Sequence, residues 1–544
     1  MSLYPFAVGT VPGVDRQRAP YASAGISVKD LPDGFPYYLW YEQTQRYYDY
    51  WRWYNGDALN ELNPKPKNGG TPGERYPLKV NPIRNFSHKH AAVLLGEDRF
   101  DSPAPAIRTI ATPLLALDGS GYNEADKKLA ATSQNVVNEV WAQSGGRGIQ
   151  VQNAIMSQFL GGCAYQLSYE PWRENLRIPI RVKPIVPDFF LPIFEAGNPW
   201  DLLEGYVVYR VPAIAAHRQY NIKGPIPTTG YNIYVEHWTR ESYSIYLDRE
   251  PLTSRVGNKT ITYDNVENPF GFVPLTYIPH IRTGNDYGES LVEDVRGLTK
   301  ELNARAADKG DLLRGASQRK FVGTDIAKSV DPISFNGGDF YAYNIGFTNP
   351  VTKATPTITA IDPPAIPEAI ASMTDEVWGH ALRVGNMGGI AFGEDEGSQR
   401  SSLTLAFRMW PTTAHIGQER AFWNDGLSQM ARQILRMVNT TQASIKAVKI
   451  PDDWEHRIQV SQQFQPAVPR DREQEVNEII LRFQSGLISP ETALSKLGDI
   501  EYIEEEISKI REWMSYQASL EVKAQGAKTS LKSPVAADGM DEKQ

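Results

Sequence analysis

Gly385-Asn386-Met387-Gly388-Gly389-Ile390-Ala391-Phe392-Gly393-Glu394-Asp395-Glu396-Gly397 is the stretch whose reading decides the fold. Its five glycines disfavour a rigid structure and favour a mobile loop. The acidic trio Glu394, Asp395 and Glu396 reads as solvated surface before it reads as a cation site. Just upstream, residues 366–384 place Ile366, Ala369, Ile370, Met373, Val377, Ala381 and Leu382 on one helical stripe, and Gly385 is well placed to stop that helix. Before it, residues 316–364 lose the helical period at Asp331-Pro332, Asn336-Gly337-Gly338 and Pro363-Pro364. Their Val, Ile, Thr, Phe and Tyr favour short strands. This insert is preceded by a second amphipathic helix over residues 289–314, with Leu291, Val295, Leu298, Leu302 and Ala306 on its apolar stripe. Downstream of the glycine-rich stretch, Ser401 or Ser402 can cap a long helix that runs to about Asn439. Pro411 removes one of its internal hydrogen bonds, so a kink is expected there, and Gly417 and Gly426 lie further along.

Working outward, residues 164–277 carry strand-like segments at 164–169, 206–211, 231–238, 243–247 and 272–278, rich in β-branched and aromatic residues and separated by turns. Helices are expected at 83–95, stopped by Gly96, and at 123–143 and 149–160, the last closed by Gly161-Gly162. Residues 457–464 can return to the same body as a further strand. The helix at 37–54 is crowded with aromatics, and Trp40, Tyr47, Trp51 and Tyr54 recur on one face. A packed helix explains that pattern. A base-stacking platform would need interleaved basic residues, and only Arg46 and Arg52 are present. From 469 onward the chain reads as helical, with Ser489 as N-cap and Pro490 at the first helical position.

The chain has 544 residues, 41% of them hydrophobic and 22% charged, which suits several folded domains with disorder confined to the ends. A single cysteine, Cys163, excludes an internal disulfide and any multi-cysteine metal site. No apolar run approaches the roughly 20 residues of a membrane span, and residues 1–20 lack a signal-peptide core. The net charge of −8 disfavours broad, tight binding of nucleic acid but suits a conduit through which DNA slides. Phosphate-loop, zinc-hydrolase and nucleophile-elbow motifs are absent from the sequence, so an ATP-driven motor and the better-marked hydrolases are excluded. His88 and His90 do not share a helix face at their spacing. No cofactor and no metal site is expected.

Helix, small β insert, helix, glycine-rich loop and long kinked helix, in that order, resemble the centre of tailed-bacteriophage portal proteins. The segment from Gln465-Pro466 through Arg482-Phe483-Gln484-Ser485-Gly486-Leu487-Ile488-Ser489-Pro490-Glu491-Thr492-Ala493-Leu494, and then residues 500–513, resembles the helical crown of that family. The resemblance covers most of residues 37–513 and rests on the order of many parts. It implies an α+β ring subunit: an extended arm (1–34), an α+β wing (35–288), a first stem helix (289–315), a clip (316–364), a second stem helix (365–385), a tunnel loop (386–400), a kinked tunnel helix (401–440), a return to the wing (441–468), a crown (469–523) and a disordered tail (524–544).

The same resemblance implies a homo-oligomer, commonly a dodecamer, at one capsid vertex of the virion, assembled in the host cytoplasm. Double-stranded DNA would pass through it during packaging and ejection. The major capsid protein, the terminase motor and a head-completion adaptor or tail protein would be its partners, with no membrane and no enzymatic activity. Asn386, Met387, Gly388, Gly389, Phe392, Glu394, Asp395, Glu396 and Gln399 are the residues expected near DNA. Arg319, Lys320, Lys328 and Lys353 are expected to form part of the clip's docking surface. On the residues alone two other classes stay open: another virion component, such as a capsid or tail-tube subunit, and an enzyme with an unmarked carboxylate site.

Overall fold

The computed structural model describes residues 26–59, 79–96, 105–115, 123–220, 230–256, 259–284, 286–317, 320–324, 357–361, 368–392, 402–441, 449–467, 472–497 and 503–530. The chain divides into two compact units, Met1–Val468 and Pro469–Gln544. Helices and antiparallel strands share the first unit, so the α+β expectation holds, and the second is helical.

The first unit begins with helices α1 (Tyr37–Asn55) and α2 (Pro82–Leu95). On α1, Trp40, Gln43, Thr44, Tyr47 and Tyr50 are buried. Trp51 and Tyr54 pack on Phe159 with ring centroids 4.8 and 4.0 Å away, which is the packed aromatic helix expected from the spacing. Helix α2 starts as the rules of capping require: Asn81 accepts from the Arg84 N–H and Pro82 takes the first turn, where it has no hydrogen bond to lose. Strand β1 (Arg108–Pro113) leads to helices α3 (Glu124–Ser144) and α4 (Gly146–Leu160). Strands β2 (Gly162–Tyr169), β3 (Ile180–Ile185), β4 (Phe190–Glu195) and β5 (Asn198–Pro212) follow. Helix α5 (Ala213–Tyr220) precedes strands β6 (Tyr231–Thr239), β7 (Ser242–Leu247), β8 (Glu250–Pro251), β9 (Thr253–Val256), β10 (Lys259–Thr262), β11 (Val266–Glu267) and β12 (Leu275–Pro279).

One antiparallel sheet has the order β11-β7-β6-β5-β4, with β8 on β7, and another the order β12-β2-β3. Strands β9 and β10 form a separate hairpin. Beyond β12 the chain leaves the body along helix α6 (Leu291–Ser317), turns through the antiparallel pair β13 (Lys320–Thr324) and β14 (Thr357–Ile361), and comes back along helix α7 (Glu368–Val384). The two leg helices pack on each other. Leu291, Val292, Val295 and Leu302 form the buried stripe of α6, and Asn303 holds both the N–H and the carbonyl of Val80.

Helix α8 (Ser402–Thr441) passes Pro411 without interruption. Its later part lies in the main hydrophobic core, between β12, β3, α3 and strand β15 (Ile458–Gln463). That strand is the expected return to the body: it pairs antiparallel with β1, Arg108 opposite Gln463. Gly426 lets α8 lie directly on β12, since a Cβ there would sit 2.6 Å from Ile278 Cγ1.

In the second unit, helices α9 (Arg472–Gln484), α10 (Pro490–Leu497) and α11 (Ile503–Ser530) pack in succession, with Ile479, Ala493 and Ile507 buried. Ser489 caps α10 by accepting from the Thr492 N–H, as its sequence implies. Helix α11 runs to Ser530, past Tyr516 and into residues 524–530, which the sparse apolar content had marked as a disordered tail. Glu521, Lys523, Ala524, Gln525, Ala527 and Lys528 are good helix formers, and propensity carries the helix where no apolar stripe does. The arm at 1–25 and residues 531–544 lie outside the described residues.

Candidate functional site

The glycine-rich stretch opens with a fastened root. As α7 ends, the N–H of Gly385 donates to the carbonyl of Ala381 (2.9 Å), that of Asn386 to Arg383 (3.2 Å) and that of Met387 to Leu382 (2.8 Å). Asn386 takes a left-handed φ of +51°, which asparagine tolerates better than most side chains. Met387 is 4% exposed and lies in a core with Phe86, Ile83, Leu291 and Ala381. The Gly388 N–H then donates to Thr412 Oγ1 of α8 (3.1 Å). A Cβ on Gly385 would come within 2.6 Å of the Phe86 ring, and one on Gly388 within 2.8 Å of the Arg408 carbonyl. These two glycines serve close approach. Gly389–Phe392 forms one 3-10 turn that sets Phe392 against Phe86 and Trp378, both with centroids at 5.6 Å, and Lys89 lies over the Phe392 ring.

The structure therefore places Met387 and Phe392 as anchors and corrects the expectation of a loop that is mobile from its first glycine: packing of Met387 and the Gly388–Thr412 bond outweigh glycine's backbone freedom through residue 392. Glu394, Asp395, Glu396 and Gln399 lie outside the described residues. So do Arg319, Lys328 and Lys353, while Lys320 opens β13 opposite Ile361.

Beneath this root lies a cluster of polar residues that the sequence reading missed. His90 of α2, His280 just after β12, and His415 and Glu419 of α8 converge there; the His415 ring lies 5.2 Å from that of His90 and 5.5 Å from that of His280. His415 Nδ1 meets Asn386 Nδ2 at 3.4 Å, which ties the cluster to the root. His280 Nδ1 is 3.0 Å from the Glu289 carbonyl, and its Nε2 is 3.7 Å from Glu419 Oε2. Glu419 Oε1 accepts from Gln158 Nε2 (2.6 Å) and Ser157 Oγ (3.3 Å) of α4. His90 and Glu419 are fully buried. Burial pushes the pKa of His90 and of His280 down to about 3, lowers that of His415, and raises that of Glu419 to about 8, because each charged form loses its hydration.

His88 and His90 go separate ways, His88 to the Tyr54 hydroxyl (2.9 Å) and His90 into the cluster. Among the described residues no group of three or more His, Cys, Asp or Glu is arranged to hold a metal ion, and no helix is long and apolar enough to cross a membrane. The sequence signal for the cluster is His415 followed by Glu419 one helical turn later, a spacing that puts both on one face of α8.

A family model described as "Phage portal protein, SPP1 Gp6-like" matches residues 228–518, more than half of the chain. The match runs from just before β6 through both leg helices, the root and α8 into α11. No curated protein matches the chain.

Proposed function

The chain belongs to the SPP1 Gp6-like phage portal proteins, a structural family of capsid-associated oligomers at a virion vertex, and we propose that it forms the closed ring, commonly of twelve copies, through which double-stranded DNA is packaged and ejected. In this reading α6 and α7 are the stem, the segment between them is the clip, and residues 386–400 line the channel. Glu394, Asp395 and Glu396, repeated by every subunit, repel phosphate weakly, so that DNA is surrounded yet free to slide. Arg319, Lys320, Lys328 and Lys353 contribute to the face of the clip that meets the terminase motor and later the head-completion adaptor. The wing meets the major capsid protein.

The observation that carries ring formation is the exposure of Phe407 (70%) and Trp410 (67%), one turn apart on α8 beside the root. Large aromatics on the same side of a helix are rarely left to water in a stable soluble form, and a neighbouring copy would cover them. Mass measurement in solution with negative-stain imaging of purified protein tests it. Rings with a central pore are expected. A monomer at every micromolar concentration, with no ring in head-containing material, would overturn the proposal.

A further inference from the structure

We infer that His280 and Glu419 hold one proton between them, and that this shared proton, with neutral His90 and His415 beside it, latches the root of the glycine-rich loop to the body. The latch stands on the geometry of one chain and does not depend on the channel reading.

The Glu289 carbonyl can only accept, so the His280 Nδ1 that faces it at 3.0 Å carries a hydrogen. In the neutral imidazole Nε2 is then bare, and it faces Glu419 Oε2 across 3.7 Å. Both donors to Glu419, Gln158 and Ser157, go to Oε1. With no proton between them, two lone pairs would confront each other where the side chains are 5% and 0% exposed. With a proton on each, two hydrogens would. One proton alone satisfies both, and a shift of under about an ångström brings the pair to hydrogen-bond distance.

The groups packed around the pair leave proton number as the variable. From α2 comes His90, from α4 the uncharged Gln158 and Ser157, and from β2 the buried Cys163 thiol, which feels Glu419. From α8 come His415 and Trp423. The fixed charge that bears on Glu419 is Arg420, whose guanidinium is committed to the Val93 and Leu94 carbonyls at 2.8–3.1 Å. Arg282, near His280 in sequence, lies over the Phe194 and Trp200 rings. His415 transmits the state of the cluster, since it sits between His90 and His280 and meets Asn386. One turn earlier on the same helix, Thr412 holds Gly388.

The direction of the pH response follows. Burial sets His90 and His280 at about 3, below their ordinary 6.5. Their contribution is therefore complete above 6.5 and is lost as pH falls toward 3. Glu419 stands at about 8, above its ordinary 4.5. Its contribution is complete below 4.5 and is lost as pH rises through 8. The latch loosens on both sides of a mildly acidic optimum.

Hydrogen exchange of the full chain from pH 4 to 9, corrected for the intrinsic rate and read by mass spectrometry, tests this. Residues 385–392 report the root, and residues 427–438 of α8 serve as the internal reference. Protection of the root relative to that reference is expected to peak and then fall on both sides, by up to about tenfold per pH unit for one proton. Glu419→Gln, which keeps the size and accepting oxygen of the protonated side chain, should abolish the alkaline fall and keep the acid one. His90→Gln should weaken the acid fall and keep the alkaline one, so either variant suffices should the other not fold. Root and reference losing protection together at every pH, or a variant keeping the limb it should lose, would overturn the latch.

Discussion

The two ends of helix α8 have similar residues and opposite fates. Trp423, Leu427, Met430, Ile434 and Leu435 are at most 1% exposed, enclosed by strands and helices of the same chain. Phe407 and Trp410 stand at 70% and 67%. An apolar stripe says that a face gains by being covered; it does not say by what. The later part of the helix is core because β12, β15 and α3 reach it. The earlier part is not reached by the described residues of its own chain, and it is the part that receives the root.

Substitutions that sort these two ends should differ in kind. Trp423→Ala removes a fully buried ring and should cost about 3–5 kcal/mol, read as a lower denaturation midpoint. If it costs no more than a surface change, the later end is not core. The glycines of the helix come next. Gly426→Ala drives a Cβ into Ile278 and should cost about 1–3 kcal/mol. Gly417→Ala meets nothing within 4 Å and should stabilise by up to about 1 kcal/mol through helix propensity. Thermal melts of the pair check the opposite signs. The smallest effect on the single chain belongs to Phe407→Ser and Trp410→Ser, each within about 0.5 kcal/mol. Their effect should appear instead in sedimentation, as loss of rings in favour of free subunits. An intact ring from the double variant would sever exposure from assembly.

Much of this architecture was legible because local rules agree with tertiary needs. The leg helices, the Gly385 stop, the Ser489-Pro490 start and the aromatic face of α1 all stand where spacing and capping put them. Three strands escaped notice. Strand β1 is six residues long with its partner far away in sequence. In β3 and β4, Pro184 and Pro192 read as breakers, yet they pair with Tyr165 and Gly205. The root was misread because glycine has two uses: Gly385 and Gly388 admit Phe86 and the Arg408 carbonyl, and a sequence does not distinguish closeness from freedom. The His90, His280, His415 and Glu419 cluster was illegible for another reason. Its members come from three separated segments, so only the fold brings them together.

The pairing of β1 with β15 also governs how the chain must be made. Thr109 Oγ1 donates to Gln462 Oε1 across 353 positions. On a ribosome, β1 emerges long before its partner, and the body stays open until the legs, the root and all of α8 have been synthesised. During that interval α3 guards one edge of β1, through Asn138 on both backbone groups of Thr109 and Gln134 on the Ala111 N–H. The other edge has no partner until residue 463 is out. A nascent chain stalled before residue 458 therefore carries an open strand edge, a template for mispairing with other nascent chains.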